Sequence, residues 1–167
     1  LMTGIASTRS ALQNARAAAH ERDRVLALQM ADAALLDAER DIEGGGAPGS
    51  ARAAAFAAGQ ASAFENGCRG GTPYNGLCAH DPDQERHAAI LAQDDGPAVV
   101  FGAFTGSVMP DGEAGLPLEA PRYLIELMPA GADAHLYRIT ARGAGAMPHT
   151  WAALQAYYRK PPGGAPG

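Results

Sequence analysis

One uninterrupted helical stretch constrains this chain more than any other feature. From Thr8 to Ile42 there is no proline, and alanine, leucine, glutamate and arginine fill most positions, which strongly favours helix. Gly44, Gly45 and Gly46 follow and predict the end of that helix. At about 1.5 Å per residue the helix would be roughly 50 Å long. A compact body made of the remaining residues would be only about 35 Å across, so the helix is expected to extend beyond its own domain.

The apolar residues of this helix are concentrated in its second half. There they recur at spacings of three and four, which predicts a stripe that packs against a partner surface. The predicted contact residues between helix and sheet are Val25, Leu28, Ala31, Leu35, Ala38 and Ile42. In the first half, between Thr8 and Arg24, Leu12 is the only large apolar side chain. That half is therefore expected to lie outside the core.

Charge is also unevenly distributed along the helix. The first half is basic and the second half is acidic, which opposes the preference of the helix dipole for anions at the N-terminus. One interpretation is a solvated face that tolerates small electrostatic costs. The other is that neighbouring helices pack in a staggered way, so that the basic end of one contacts the acidic end of another. The candidate assembly contacts are Arg16, Arg22, Arg24, Asp37 and Glu39.

Composition limits the class of partner. The 167 residues carry a net charge of −5 at pH 7, with a pI near 5.4, which argues against nucleic acid or an anionic membrane as the main partner. No run of 18 apolar residues occurs, so this chain is not expected to span a membrane. The apolar start from Leu1 to Ala6 lacks an initiator methionine and indicates a part excised from a longer protein; a linker or cloning remnant is the alternative.

The middle of the chain combines flexible and turn-forming segments with both cysteines. Residues 51–64 predict a short helix interrupted by Gly59, and residues 81–93 predict one or two turns of helix. Cys68 and Cys78 are separated by nine residues rich in turn formers, and a disulfide closing this small loop is the simplest interpretation. A zinc site would need more ligands at suitable spacing, and a cysteine nucleophile would need an organised histidine.

No catalytic or cofactor site is predicted. The five histidines are scattered over different segments, and no serine or cysteine lies in a nucleophile elbow. Asp81 and Asp83 fall far short of a calcium loop, because such a loop also needs a glycine turn and a distal glutamate. The sequence therefore predicts a protein that is not an enzyme and that holds no metal or cofactor.

From residue 96 onward the periodicity becomes that of strands. Four strands are predicted, at residues 98–104, 122–128, 135–142 and 150–159, joined by loops rich in glycine and proline, which favours an antiparallel sheet. A sheet with one apolar face needs one covering layer, and the helical stripe is the candidate. The predicted fold class is α+β, a long N-terminal helix packed on a four-stranded antiparallel sheet.

Several segments resemble those of PilX, a family of minor pilins of type IV pili. The order of a long helix, a linker with a small disulfide and antiparallel strands is that of a type IV pilin without its hydrophobic N-terminal half-helix. The helix segments that carry the resemblance are Glu21–Arg24, Leu26–Gln29, Ala33–Leu35 and Asp37–Glu39. The strand segments that carry it are Pro121–Glu126, Tyr137–Gly143 and Thr150–Arg159.

The resemblance implies a type IV pilin-like fold and a division of the chain. Residues 1–43 would be the C-terminal half of the pilin helix, and residues 44–95 a variable linker region with the disulfide loop. Residues 96–160 would form the sheet, and residues 161–167 a flexible tail.

The same resemblance implies a part in pilus assembly. Such proteins join other minor pilins in a complex at the pilus tip that primes polymerisation, with the major pilin and a PilY-type tip adhesin as further partners. The full-length protein would be anchored in the inner membrane, facing the periplasm, before it enters the pilus on the cell surface. Nucleic acid is not among the implied partners.

Two alternatives remain at this level. The first is an adhesive or ligand-binding role for residues 44–95, in which Arg69, Tyr74 and Asn75 on the disulfide loop contact a surface. The second is a type II secretion pseudopilin, because those proteins share the fold.

Overall fold

The chain folds as an α+β domain with a long N-terminal helix. The computed structural model describes the backbone of residues 2–163 and the side chains of residues 9–83 and 86–163. Helix α1 runs from Met2 to Ile42, so it begins earlier than the predicted Thr8 and ends at the predicted residue. Gly44 and Gly45, with φ of 107° and 52°, turn the chain out of the helix in backbone conformations that other residues rarely adopt.

Among residues 2–163, two short α-helices and five strands follow, with two single 3-10 turns at Ala61–Ala63 and Asn66–Cys68. The helices and strands are α2 (Ala51–Ala58), α3 (Gln84–Leu91), β1 (Leu77–Ala79), β2 (Val99–Val100), β3 (Arg122–Met128), β4 (His135–Ala144) and β5 (Trp151–Lys160). Gly59 caps α2 in the left-handed conformation with φ of 55°, where the interruption was predicted. Of the predicted tail, residues 161–163 are exposed, and residues 164–167 lie outside the described part of the chain.

The sheet is mixed and five-stranded, so the prediction of a purely antiparallel sheet of four strands is wrong. Strand order is β1-β3-β4-β5, with β2 also paired to β3. β1 comes from the predicted linker region and runs parallel to β3, with Leu77 opposite Ile125. The strand predicted at residues 98–104 is reduced to β2, because the chain turns at Gly102, where φ is 81°. The sequence located β4 and β5 by their alternating residues and β3 by its largely apolar run between Pro121 and Pro129.

Helix α1 packs on the inner face of the sheet through small residues. Ala27, Ala31, Ala34 and Ala38 are fully buried, and α1 contacts β3, β4 and β5. On β4, a Cβ atom at Gly143 would overlap the backbone of Ala27 and Ala31. Helix and sheet therefore approach at backbone distance, which leaves no room there for large side chains.

Because of this close approach, the buried face of α1 is rotated about the helix axis relative to the predicted apolar stripe. Val25 and Leu28 are 43% and 38% exposed, so these two predicted contact residues lie on the outer side of α1. Ala31, Ala38 and Ile42 are fully buried, and Leu35 is half-buried against the core. The alanines fit the narrow gap, whereas leucine and valine are excluded from it.

The outer face of the sheet is covered over β3 and part of β4, where Arg138 is buried. Leu124 packs there with Ile90 and Leu91 from the region of α3 and with Cys68 and Cys78. The outward side chains of β5 are exposed, among them Trp151 at 55% and Tyr157 at 58%. The domain thus has one closed apolar layer under α1 and a second layer that stops before the β5 edge.

Candidate assembly surface

The N-terminal half of α1 is a free surface. Every described side chain from Arg9 to Arg22 is exposed, as expected for a segment without a core to join. Arg16, Arg22 and Arg24 are all exposed, and none of the three forms an ion pair with a residue whose side chain the structure describes. This half of the helix therefore presents unpaired basic charge to solvent.

Asp23 marks the point where α1 meets the body. Its carboxylate is buried and accepts hydrogen bonds from the backbone amides of Ala146 (2.6 Å) and Met147 (3.2 Å). Burial alone would raise the pKa of Asp23, but the hydrogen bonds from Thr150 and from these amides lower the pKa below its ordinary value. Gly145 leaves space for the carboxylate, since a Cβ atom there would meet it.

Two of the four acidic residues in the second half of α1, Asp37 and Asp41, serve the fold and not the surface. Asp37, predicted as an assembly contact, is fully buried and accepts hydrogen bonds from Thr105 Oγ1 (2.5 Å) and the Gly102 amide (2.8 Å). It therefore anchors the turn after β2 and is not available to a partner. Glu39 is half-buried. The alternation of charge along the helix is partly a consequence of these internal contacts.

Glu43 ties the end of α1 to the end of β5. Its carboxylate accepts hydrogen bonds from Tyr158 Oη (2.7 Å) and Lys160 Nζ (2.8 Å). Burial raises the pKa of Tyr158 to about 12, together with the hydrogen bond to Glu43. Burial also opposes ionisation of Glu43, but Lys160 and Tyr158 outweigh it and lower the pKa of this carboxyl. Because Asp23 and Glu43 hold opposite ends of the packed segment, α1 runs alongside β5.

A buried arginine joins α1 to the disulfide loop. Arg52 on α2 donates from Nε and Nη2 to the Asp41 carboxylate, at 2.7 Å and 2.6 Å. Its Nη1 atom donates to the carbonyl oxygens of Pro73 (2.6 Å) and Asn75 (2.9 Å), and the guanidinium lies 3.8 Å from the ring centroid of Phe104. No sequence pattern predicts this cluster, because its members lie in segments that only the fold brings together.

The disulfide between Cys68 and Cys78 is present, which confirms the prediction. Of the residues predicted to act on this loop, Arg69 is exposed, whereas Tyr74 and Asn75 are half-buried. The Asn75 carbonyl is engaged by Arg52. Of these three predicted ligand-binding side chains, only Arg69 is fully exposed. The other side of the loop faces the body of the domain.

A buried polar cluster lies on the outer face behind the disulfide. Glu126 pairs with Arg138 and contacts His80 Nδ1 at 2.7 Å and His87 Nδ1 at 3.6 Å. Burial lowers the pKa of His87, although the Glu126 charge acts in the opposite direction. These residues are far apart in sequence, so spacing gave no sign of the cluster.

Only one grouping in the described part of the chain brings three potential metal ligands together. Ligand atoms of Cys68, Cys78 and His87 lie within 4.8 Å of one another. The disulfide holds both sulfur atoms, so the thiolates that a metal ion would need are not formed. The prediction that the chain holds no metal remains a prediction.

A comparison with known protein families assigns this chain to one of them. The family described as PilX, Type IV pilus assembly protein PilX C-term, matches residues 59–160, more than half of the chain. The chain belongs to the PilX family. Neither a comparison with curated proteins nor one with solved structures gave a match. The matched segment begins at the cap of α2 and ends with β5, so it contains the whole sheet and the disulfide but not α1.

Membership of the PilX family defines the role at a coarse level. The chain is a type IV pilus assembly protein with a pilin-like α+β fold, and such proteins work in the cell envelope and at the cell surface. No helix among residues 2–163 combines the length and hydropathy needed to cross a bilayer. The surfaces described above are therefore those of an assembly component, and α1 adds a free basic surface outside the family match.

Proposed function

We propose that this PilX-family chain acts as a minor pilin that primes pilus polymerisation in a complex at the pilus tip. Its partners would be other minor pilins, the major pilin and a PilY-type tip adhesin. Before assembly it would be held in the inner membrane with the described domain in the periplasm, and afterwards it would lie in the pilus. The observation that carries the proposal is the exposed basic half of α1, which projects beyond the body.

The energetics of α1 support a role in contacts between subunits. A helix segment with no packing on its own domain gains most of its stability only when a partner covers it. Val25, Leu28 and Leu36 are exposed on the outer side of α1, so the packed half also offers apolar surface to a neighbour. Arg16 and Arg22 lie on the projecting half, where an acidic surface of another subunit would neutralise them.

Charge reversal on the projecting half tests the proposal. The full-length gene carrying Arg16→Glu and Arg22→Glu should restore fewer surface pili to a deletion strain than the wild-type gene, with the major pilin still present inside the cells. Because both side chains are exposed, the melting temperature of the purified domain should not change. Electron microscopy, immunoblotting for the major pilin and thermal melting provide the three measurements.

Arg69→Glu is the matched control, because it reverses one exposed charge on the disulfide loop and away from α1. It should leave piliation intact. Normal piliation of the Arg16→Glu, Arg22→Glu strain would contradict the proposal, and a large fall in melting temperature would contradict its structural basis.

An adhesive role of the disulfide loop is the second candidate. The exposure of Arg69 on a loop closed by the disulfide favours it, since such a side chain is both accessible and held in position. If the loop is adhesive, Arg69→Glu cells should keep normal pili and lose attachment to surfaces. Attachment equal to wild type would leave assembly as the role of the chain.

A further inference from the structure

Strand β5 forms an open edge of the sheet. Within residues 2–163, its ladder partner is β4 alone, over ten consecutive residue pairs from Trp151 opposite Ala144 to Lys160 opposite His135. The side of β5 away from β4 therefore carries backbone donors and acceptors that no other described strand pairs. An edge of this kind is a template for another extended chain.

This edge lacks the sequence features that usually prevent strand addition. Such features include prolines, bulges, short strands and charges spread along the edge. β5 is ten residues long, pairs without a bulge, and contains neither proline nor glycine. Its charged residues are confined to the last two positions, Arg159 and Lys160, and Lys160 is already paired with Glu43. The stretch from Trp151 to Tyr158 is thus unprotected.

The inner face leaves room for a further strand. Ile139 and Ala141 on β4 are fully buried, whereas the inner side chains of β5, such as Leu154 and Ala156, are only half-buried. Beside the start of β5 lies an open cavity of about 490 Å³ between the strand and α1. Its lining includes Arg24 and Leu28 of α1 and residues 149–153. An added strand would place its inward side chains in this space.

Two arginines near β5 favour an acidic partner segment. Arg24 lies in the cavity at one end of β5 and Arg159 is exposed at the other end. Neither forms an ion pair with a residue whose side chain is described. Acidic side chains on the incoming segment would pair with both, and an apolar side chain would cover Leu28.

We propose that β5 binds an extended, acidic segment of another pilus protein as an additional strand of the sheet. The backbone of the segment would complete the hydrogen-bonding ladder along Trp151–Tyr158, and alternate side chains would provide specificity. The inference builds on the proposed assembly function, since it takes the partner from the pilus complex. It uses a surface separate from the projecting half of α1.

Photo-crosslinking in piliated cells tests the geometry of this contact. The full-length protein would carry p-benzoylphenylalanine in place of Ala153, Gln155 or Tyr157, which all point to the outer face and are exposed. In a ladder, cross-strand neighbours lie about 5 Å apart, and successive residues on one face are two apart in sequence. Mass spectrometry should therefore map the three adducts to one acidic segment of one other pilus protein, at positions two residues apart and in consistent order.

Two controls separate strand addition from general proximity. The same photoreactive residue in place of Val108, which is 93% exposed in a loop, should give no adduct with that segment. Arg24→Glu with Arg159→Glu should reduce the Gln155 adduct about tenfold, as expected for a loss of about 1.4 kcal/mol, whereas Arg69→Glu should not reduce it. An unchanged melting temperature of the purified Arg24→Glu, Arg159→Glu domain shows that the sheet is intact.

Several results would overturn the inference. They are an absence of adducts in piliated cells, adducts scattered over several segments, adducts with a second copy of this chain, or a yield insensitive to Arg24→Glu with Arg159→Glu. Failure of the edge contact can be distinguished from failure of the proposed function. Loss of pili in the Arg16→Glu, Arg22→Glu strain without a crosslink ladder would reject only the edge contact, and a ladder in cells whose piliation withstands those substitutions would reject only the role of the helix.

Discussion

Arg52 and Asp41 form an ion pair that is almost completely removed from solvent. Their side chains are 3% and 2% exposed, with Arg52 Nη2 2.6 Å from Asp41 Oδ2. Tyr123 Oη also donates to this carboxylate at 2.9 Å. The pair thus joins the end of α1, the start of α2 and the central strand β3 at one point. Since Arg52 also binds the carbonyl oxygens of the disulfide loop, its loss would affect the helix and the loop together.

Removing Arg52 should therefore destabilise the domain strongly. Breaking a buried pair from one side leaves an uncompensated charge, which typically costs about 3–5 kcal/mol. Arg52→Ala should lower the free energy of unfolding by this amount, and Arg52→Lys should recover only part of it because lysine cannot donate from two nitrogens. Chemical denaturation measures both. Arg69 is an exposed arginine on the disulfide loop, so Arg69→Ala should change the free energy of unfolding little. A loss equal to that of Arg52→Ala would contradict the structural role assigned to Arg52.

The contact between Gly143 and α1 should tolerate no side chain. A Cβ atom there would overlap the backbone of Ala27 and Ala31, and backbone cannot move aside as a flexible side chain does. Gly143→Ala should cost about 1–3 kcal/mol by overpacking, as measured by thermal and chemical denaturation. Gly131→Ala is the control, because a Cβ atom at that position meets nothing within 4 Å. Similar effects of the two substitutions would show that the helix does not lie as described.

Stability should fall between pH 7 and pH 5 because of His87. Burial lowers the pKa of His87 below 6.5, and Glu126, Arg138, Asp81 and Arg86 are the charges that act on it. The unfolded chain therefore takes up a proton at a higher pH than the folded chain does. Stabilisation from neutral His87 is complete above pH 6.5 and is lost as pH falls toward the folded pKa, with a slope of at most about 1.4 kcal/mol per pH unit.

Melting temperature as a function of pH measures this effect. His87→Gln should flatten the curve between pH 7 and pH 5. This pH range is distinct from the one in which Asp23 and Glu43 act. Because their pKa values in the folded chain lie below the ordinary values of 3.8 and 4.5, the stability that these carboxylates contribute is lost only below those values. Parallel curves for wild type and His87→Gln would contradict the prediction.

Reduction of the disulfide should weaken the outer layer. The bond between Cys68 and Cys78 closes a short loop, and both residues are fully buried against Leu124 and Leu91. Cys68→Ser with Cys78→Ser should lower the free energy of unfolding by about 2–4 kcal/mol. Hydrogen exchange should show the loss of protection first in β1 and the disulfide loop and last in α1. Equal loss of protection throughout would show that the loop is not a separate unit.

The sequence pattern identified the long helix α1 and the three long strands β3, β4 and β5. β3, for example, was predicted at residues 122–128, where the structure places it, because a short, largely apolar run between Pro121 and Pro129 is typical of a buried strand. β1 was missed, since three residues centred on Cys78 carry no readable period. Its strand character comes from pairing with Ile125 to Leu127, which is a long-range contact.

The apolar stripe shows a second limit. Val25 and Leu28 were predicted at the sheet because size and spacing identify apolar faces. The packed face is instead made by Ala27 and Ala34, because Gly143 lets the backbones approach so closely. Spacing along one helix cannot reveal the depth of the surface that receives it.

Several features follow from the sequence alone: a long helix precedes a β-sheet, the helix projects with a basic first half, two cysteines close a loop, and the chain resembles PilX. Each of these depends on neighbouring residues or on short motifs. The fold was needed to show that Asp37 and Asp41 are internal anchors, that Arg52 and Glu126 organise buried clusters and that β5 is an open edge. These features arise between residues far apart in the chain, where burial and pairing set the energy of a charged or hydrogen-bonding group.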